Sequence, residues 1–404
     1  MNKDFFCMAP FRKMMEFPNG GLSTCCHYPK LKNKYDSLEE AFYGPEMENH
    51  RQQMMRGEYL EDCKICHLHE KSPGHEIFKS QRQQYNLEYD AEKYIIDKKT
   101  PDPIITDLEL SVDNTCNYMC VICGPRASSA WEKRIGDDFG PTGFKIKESM
   151  EWPPRKIKNS LKKPSIHNIE KFLPNLKFLI LTGGEPTIQK KLDEDFYAKL
   201  NQYSNDDLTF GMITNCSKFI GENAVKFIKK NKKVIIMPSL DGVGEVGEWC
   251  RYGLKMKIFH RNLLKWIDLV KDKTEQVVYE NLSVKSGIVV NICVHNYNLF
   301  NMFETITYLN DLKLENLQYI LSFNNSNSVY ICPSYLPSNI KNYILENVDF
   351  FDKQHEEFYL YMLNMNEYDE KYCHKFLVYT DYLIKYAKPP DECLTIYKML
   401  KNER

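Results

Sequence analysis

Three cysteines stand within eight residues in the run SVDNTCNYMCVICGP, as Cys116, Cys120 and Cys123. Thiolates spaced C-x3-C-x2-C on one loop can wrap a single metal centre. Four would saturate zinc or an iron–sulfur cluster, whereas three leave one coordination position open, the mark of a reactive centre rather than a structural one. Soft thiolate ligands suit a [4Fe–4S] cluster with one non-cysteine iron. A second set lies upstream. Cys7 and Cys25 flank a turn, and Cys63 and Cys66 form a C-x2-C. Together they make a closed four-thiolate set, for which zinc and [4Fe–4S] are both open readings. Cys26 competes with Cys25. Neighbouring side chains on a strand point to opposite faces, so only one of the two should ligate, and Cys25 is expected to be that one. His67 and His69 read as solvated or capping residues. The other cysteines are spread singly; Cys250, Cys293, Cys332, Cys373 and Cys393 read as small buried hydrophobes, and Cys216 as a packed thiol.

The elements that must position these groups follow from patterning. Residues 1–103 have few long apolar runs, a hairpin signal at Phe17-Pro18-Asn19-Gly20-Gly21, and polar helices over 38–56 and 76–95. From 104 strand-like runs recur at 104–112, 177–182, 207–214, 233–240, 284–294 and 317–323, separated by helix-period segments at 187–202, 219–231, 256–272 and 299–313. This alternation predicts an α/β fold with a parallel sheet or barrel and right-handed crossovers. Chemistry in such folds sits at the carboxyl ends of the strands. Residues 136–176 read as a long polar insertion and 336–404 as a helical extension with a Tyr/Phe/Leu stripe. The expected division is 1–103, 104–335 and 336–404.

Composition bounds the partners. Lys+Arg 54 against Asp+Glu 55 leaves a net charge of −1, which disfavours nucleic acid. The Lys-rich stretches 155–163 and 226–233 read as solvated faces. No run of about 18 apolar residues predicts a membrane span, and MNKDFFCMAPF has no signal-peptide pattern. A cytoplasmic chain, with reduced thiols, is expected.

Further motifs stand at the other strand ends. The second run closes in Leu181-Thr182-Gly183-Gly184-Glu185-Pro186, the third in Thr214-Asn215-Cys216, and the fourth in Ser239-Leu240-Asp241-Gly242, followed by Arg251 in WCRYG. With the cysteine loop, these segments resemble the radical S-adenosylmethionine (SAM) enzymes over residues 104–330. The hairpin cysteines resemble the C-x(9–15)-G-x4-C element of twitch and SPASM modules, here placed before the barrel instead of after it. The resemblance implies a partial (β/α)6 barrel with an N-terminal twitch-like iron–sulfur module and a C-terminal helical extension. It implies a SAM-binding [4Fe–4S] cluster on Cys116, Cys120 and Cys123, and an auxiliary [4Fe–4S] cluster on Cys7, Cys25, Cys63 and Cys66. Gly183, Gly184 and Glu185 would hold the methionine amino group of SAM, Asn215 and Ser239 its ribose, and Arg251 its carboxylate. Ile122 replaces the aromatic residue that many members place before the third cysteine, and would cover the adenine by apolar contact.

The activity so implied is reductive cleavage of SAM to a 5′-deoxyadenosyl radical, followed by hydrogen abstraction. An external one-electron reductant of flavodoxin or ferredoxin type is implied as partner. The expected substrate is a peptide or protein side chain, with a small hydroxylated metabolite as the alternative. A non-catalytic iron–sulfur electron carrier and a zinc-stabilised binding module are readings from other classes.

Overall fold

A computed structural model describes residues 3–18, 20–27, 31–71, 78–111, 113–137, 169–189, 192–279, 282–315, 317–323 and 328–402. Most of the expected insertion at 136–176, with the Lys-rich stretch 155–163, lies outside the described residues.

The α/β expectation holds. One eight-stranded sheet is built from β1 (Lys13–Glu16), β2 (Leu22–Ser23), β3 (Asp107–Ser111), β4 (Phe178–Thr182), β5 (Thr209–Thr214), β6 (Lys233–Pro238), β7 (Gly287–Val294) and β8 (Leu317–Phe323). Strands β3 to β8 lie side by side in chain order, all parallel, so each crossover moves one place along the sheet. In this order β2 and β8 stand at opposite edges, and the sheet is open. The strands are Val/Ile/Leu-rich because both faces are covered. One face packs on helices in the main core, through residues such as Leu108, Leu110, Leu179 and Leu181. The other face gathers Ile235, Met237 and Val289 with Phe178, Ile180 and Ile213, capped by Val277 and Val284.

Three departures from the sequence reading have local causes. The run at 284–294 is two strands: Leu282–Lys285 folds back antiparallel on Gln276–Tyr279, and only Gly287–Val294 enters the sheet. The helix expected at 38–56 is broken into Leu38–Tyr43 and Pro45–Arg56, because proline starts a helix more readily than it continues one. The segment at 187–202 is a short 3₁₀ turn followed by a π-helical turn at Leu192–Tyr197.

The N-terminal hairpin forms as expected, with Met15 opposite Ser23 and Glu16 opposite Leu22. It also joins the main sheet. β1 runs parallel to β3, with Lys13 beside Asp107 and Glu16 beside Leu110. The tail forms helices Ser338–Asn347, Lys353–Asn364, Glu370–Ile384 and Thr395–Asn402. Its aromatic stripe, including Tyr359, Phe376 and Tyr379, is buried against the main core.

Candidate active site

The cysteine loop leaves the carboxyl end of β3 and is held from several directions. Its short extended piece, Met119–Cys120, pairs antiparallel with Arg251–Tyr252, which sets Arg251 opposite Cys120. Buried carbonyls in a loop need donors, since they have no ladder to join. Here Ser129 Oγ donates to Cys116 O (3.2 Å), Ser128 Oγ to Tyr118 O (2.6 Å) and Trp131 Nε1 to Cys120 O (2.9 Å). Ser328 Oγ donates to Ile122 O (3.0 Å), and the Tyr379 hydroxyl donates to Val121 O (3.0 Å) from the C-terminal extension.

The three thiols share one neighbourhood. Burial and then Cys120 push the Cys116 thiol up to about 11, and the Cys123 thiol together with burial raises Cys120. N–H donors point at two of the sulfurs. Tyr118 N (3.5 Å) and Asn215 Nδ2 (3.7 Å) reach Cys116 Sγ, and Arg251 Nη1 reaches Cys120 Sγ (3.7 Å). Such donors stabilise thiolate charge and tune the potential of a cluster held by those sulfurs.

The neighbouring strand ends converge on this loop. Gly183 and Gly184 turn with φ of 73° and 45°, a region open to glycine. A Cβ on Gly183 would stand 2.5 Å from the Ser111 Cβ, and one on Gly184 2.4 Å from Thr115 O, so the turn is packed against the cysteine loop. Glu185 N donates to Thr115 O (2.7 Å). The Glu185 carboxylate, which the family resemblance assigns to an amino group, is turned into the fold. Its Oε1 accepts from Thr187 N (3.0 Å), Thr187 Oγ1 (2.6 Å) and Thr214 Oγ1 (2.7 Å), and its Oε2 accepts from Asn215 N. It therefore ties the end of β5 to the glycine turn. Burial raises its pKa despite those donors.

Arg251 is likewise committed inside the protein. Its Nε lies 2.9 Å from Asp241 Oδ2 and its Nη2 donates to Asp241 Oδ1 (3.0 Å). Asp241 Oδ1 also accepts from Cys293 N (3.0 Å). Both side chains are buried, and the adjacent carboxylate, acting against desolvation, raises the Arg251 pKa. Sequence reasoning missed Asp241 as the group that orients Arg251, although both belong to the segment that follows β6. Ser239 is buried at the end of β6, bridged to Asn291. Ile122 is half-buried beside Cys123 and packs on the core.

The upstream thiols also meet. Cys7, Cys25, Cys63 and Cys66 line one small cavity with His27, Asp62 and Arg82. Burial first, and then Cys25, Cys63 and Cys66, raise the Cys7 pKa. Cys26 is exposed, outside the lining of that cavity. His69 contacts Phe78 O (2.6 Å), and His67 packs edge-on to Phe5. Cys216, Cys250, Cys332, Cys373 and Cys393 are buried, and Cys293 is half-buried. Among the described residues, no group of three or more His, Cys, Asp or Glu is drawn in closely enough to hold a single metal ion. A four-iron cube binds its thiolates at separate corners, so its ligands stand further apart than those of one ion. Two convergent all-sulfur sets, one of three and one of four, suit such clusters in donor chemistry.

No family model and no curated protein matches the sequence. Solved structures do. Native anSMEcpe with bound AdoMet and Kp18Cys peptide is 18% identical, with a TM-score of 0.34 over 60% of this chain and 59% of its own. Streptococcus suis SuiB bound to S-adenosylmethionine is 13% identical, with a TM-score of 0.34 over 73% of this chain and 54% of its own. TYW1 with a lysine-pyruvate adduct is 14% identical, with a TM-score of 0.28 over 58% and 70%. The chain is similar to these structures over part of its length only. It spans about six tenths or less of the length of the first two. It has a mostly parallel sheet with helices packed on it. No helix among the described residues is long and apolar enough to cross a membrane.

Proposed function

We propose that this chain is a radical SAM enzyme that abstracts a hydrogen atom from a peptide or protein side chain, with Cys116, Cys120 and Cys123 holding its SAM-binding cluster. The observation that carries the reading is a three-thiol loop, with N–H donors on two of its sulfurs, packed against a Gly183-Gly184 turn at the same end of a parallel sheet. When bound, a [4Fe–4S] cluster would supply one electron, received from a flavodoxin- or ferredoxin-type reductant, to split SAM into methionine and a 5′-deoxyadenosyl radical that takes the hydrogen atom. The protein's part is to hold and orient. Arg251 and Asn215 lend N–H groups to Cys120 and Cys116, Asp241 fixes Arg251, and Glu185 locks the glycine turn to β5 beside the loop. Such fixed positioning and exclusion of water are what a reactive radical demands. Cys7, Cys25, Cys63 and Cys66 would hold an auxiliary [4Fe–4S] cluster.

Anaerobic reconstitution followed by dithionite and SAM tests the reading. Expected are 5′-deoxyadenosine and about eight iron atoms per chain, as two such clusters require. Cys120→Ala should abolish 5′-deoxyadenosine while leaving the iron of the upstream set. Iron without any 5′-deoxyadenosine from the unmodified protein would favour an electron carrier, and zinc without iron would overturn the assignment.

A further inference from the structure

Below the cysteine loop, the same sheet carries a second set of chemical groups. Asp107, Glu109 and Ser111 point to one face of β3 by strand alternation, and Ser111 shares a 2.8 Å hydrogen bond with Thr182 just before the glycine turn. Asp107 lies four residues further down, about 13 Å along the strand. Here a cavity of about 460 Å³ opens between the sheet and the helix Gln81–Glu88. That volume is in the range of small-ligand sites. Its apolar wall is Phe178 and Ile180, which sit beside Asp107 and Glu109 in the β3–β4 register.

The charges on this wall are unevenly matched. Lys13 is engaged by Glu109, with Nζ 3.0 Å from Oε2. Asp107 is only 3% exposed; its Oδ1 accepts from the Tyr89 hydroxyl (2.6 Å), and its Oδ2 has no hydrogen-bond partner. Glu88 stands at the rim of the same cavity, where burial and then Asp107 push its carboxyl up to about 8, so that a cation beside it would favour its charged form. Lys79 is the one further ammonium among the residues lining it. Burial pushes the Asp107 carboxyl up to about 6 even with the Tyr89 hydroxyl and Lys13 acting the other way. A buried carboxylate oxygen lacking a donor, a second carboxylate at the entrance and an apolar wall beside them make a site for a cation on a hydrocarbon stem.

We propose that this cavity binds the substrate through a primary ammonium or guanidinium group on an aliphatic stem, with Asp107 and Glu88 receiving the charge and Phe178 and Ile180 the stem. The subsequent chemistry rests on the radical SAM reading; the binding rests on the cavity alone. The remaining length of the sheet face, up to Ser111, is left for the part of the substrate that reacts. A lysine or arginine side chain of a peptide and a free alkylamine present the same chemistry.

Calorimetry on the reconstituted holoenzyme decides the matter with three probes: Nα-acetyl-lysine N-methylamide, the corresponding norleucine amide, and pentylamine. The lysine amide should bind at least about tenfold more tightly than the norleucine amide. Asp107→Asn and Glu88→Gln should each erase most of that preference. Glu88 is exposed, so its substitution keeps the test valid if Asp107→Asn fails to fold. Equal binding of the two amides by the unmodified protein overturns the proposal, as does a lysine preference that survives both substitutions. Pentylamine binding as tightly as the lysine amide would identify a free amine as the natural class, and binding of the amide alone a peptide. 5′-Deoxyadenosine formation by the unmodified protein is scored separately. Its absence with the lysine preference intact sinks the radical reading and leaves this one; its presence without the preference does the reverse.

Discussion

Arg251 faces two partners at once, a carboxylate on one side and a cysteine sulfur on the other. The pair with Asp241 is buried, so removing one member leaves an uncompensated charge away from water. Asp241→Asn should therefore cost about 3–5 kcal/mol of stability, read from urea denaturation. Asp107 gives a pH-dependent prediction. Its folded pKa of about 6 lies above the usual 3.8, so the folded state binds more protons between those values and stability falls as pH rises through that window. Asp107→Asn should accordingly gain on the unmodified protein between pH 4 and pH 7, by up to about 3 kcal/mol, measured by denaturation at each pH. At this scale the closeness of Cys116, Cys120 and Cys123 was legible, because spacing on one loop is a local property. The pairing of Arg251 with Asp241 was not, because the D-G…R spacing names both residues without saying which groups they meet.

Whole elements show a different division. Strands β3 to β8 were visible as apolar runs, and the first hairpin as a turn signal between two short ones. The addition of β1 beside β3 had no local sign, since a parallel pair leaves its register to partners some ninety positions apart. The C-terminal extension was legible as helices packing back on the main domain, but the contact that fastens it to the cysteine loop was not. The reason is Tyr379, which reaches Val121 O across 258 positions of sequence. Tyr379→Phe keeps the ring and removes the hydroxyl, leaving a buried carbonyl short of a donor. The expected loss is about 1–3 kcal/mol, with reduced iron retention by the Cys116–Cys123 loop under a chelator challenge. Unchanged retention would assign Tyr379 to packing alone.

For the molecule as a whole, the place of β1 between β3 and β2 decides how the upstream thiols behave. Met14 is fully buried and belongs to the main core rather than to a separate N-terminal one. Met14→Ala should cost about 2–5 kcal/mol, and it should lower the unfolding midpoint of both regions together. Tryptophan fluorescence reads the barrel through Trp249 and Trp266, and alkylation of Cys25 and Cys63 reads the hairpin region. Two separated midpoints would mean that the N-terminal hundred residues open independently. The clasp between Tyr379 and Val121 has a consequence for biosynthesis. At about 5–20 residues per second, Tyr379 is made roughly 10–50 s after Val121. During that interval the nascent loop carries its three thiols without one of its fastenings. On the proposed reading, iron delivered to the growing chain would meet an unfinished holder, and the finished one would exist only after synthesis has passed the last long helix.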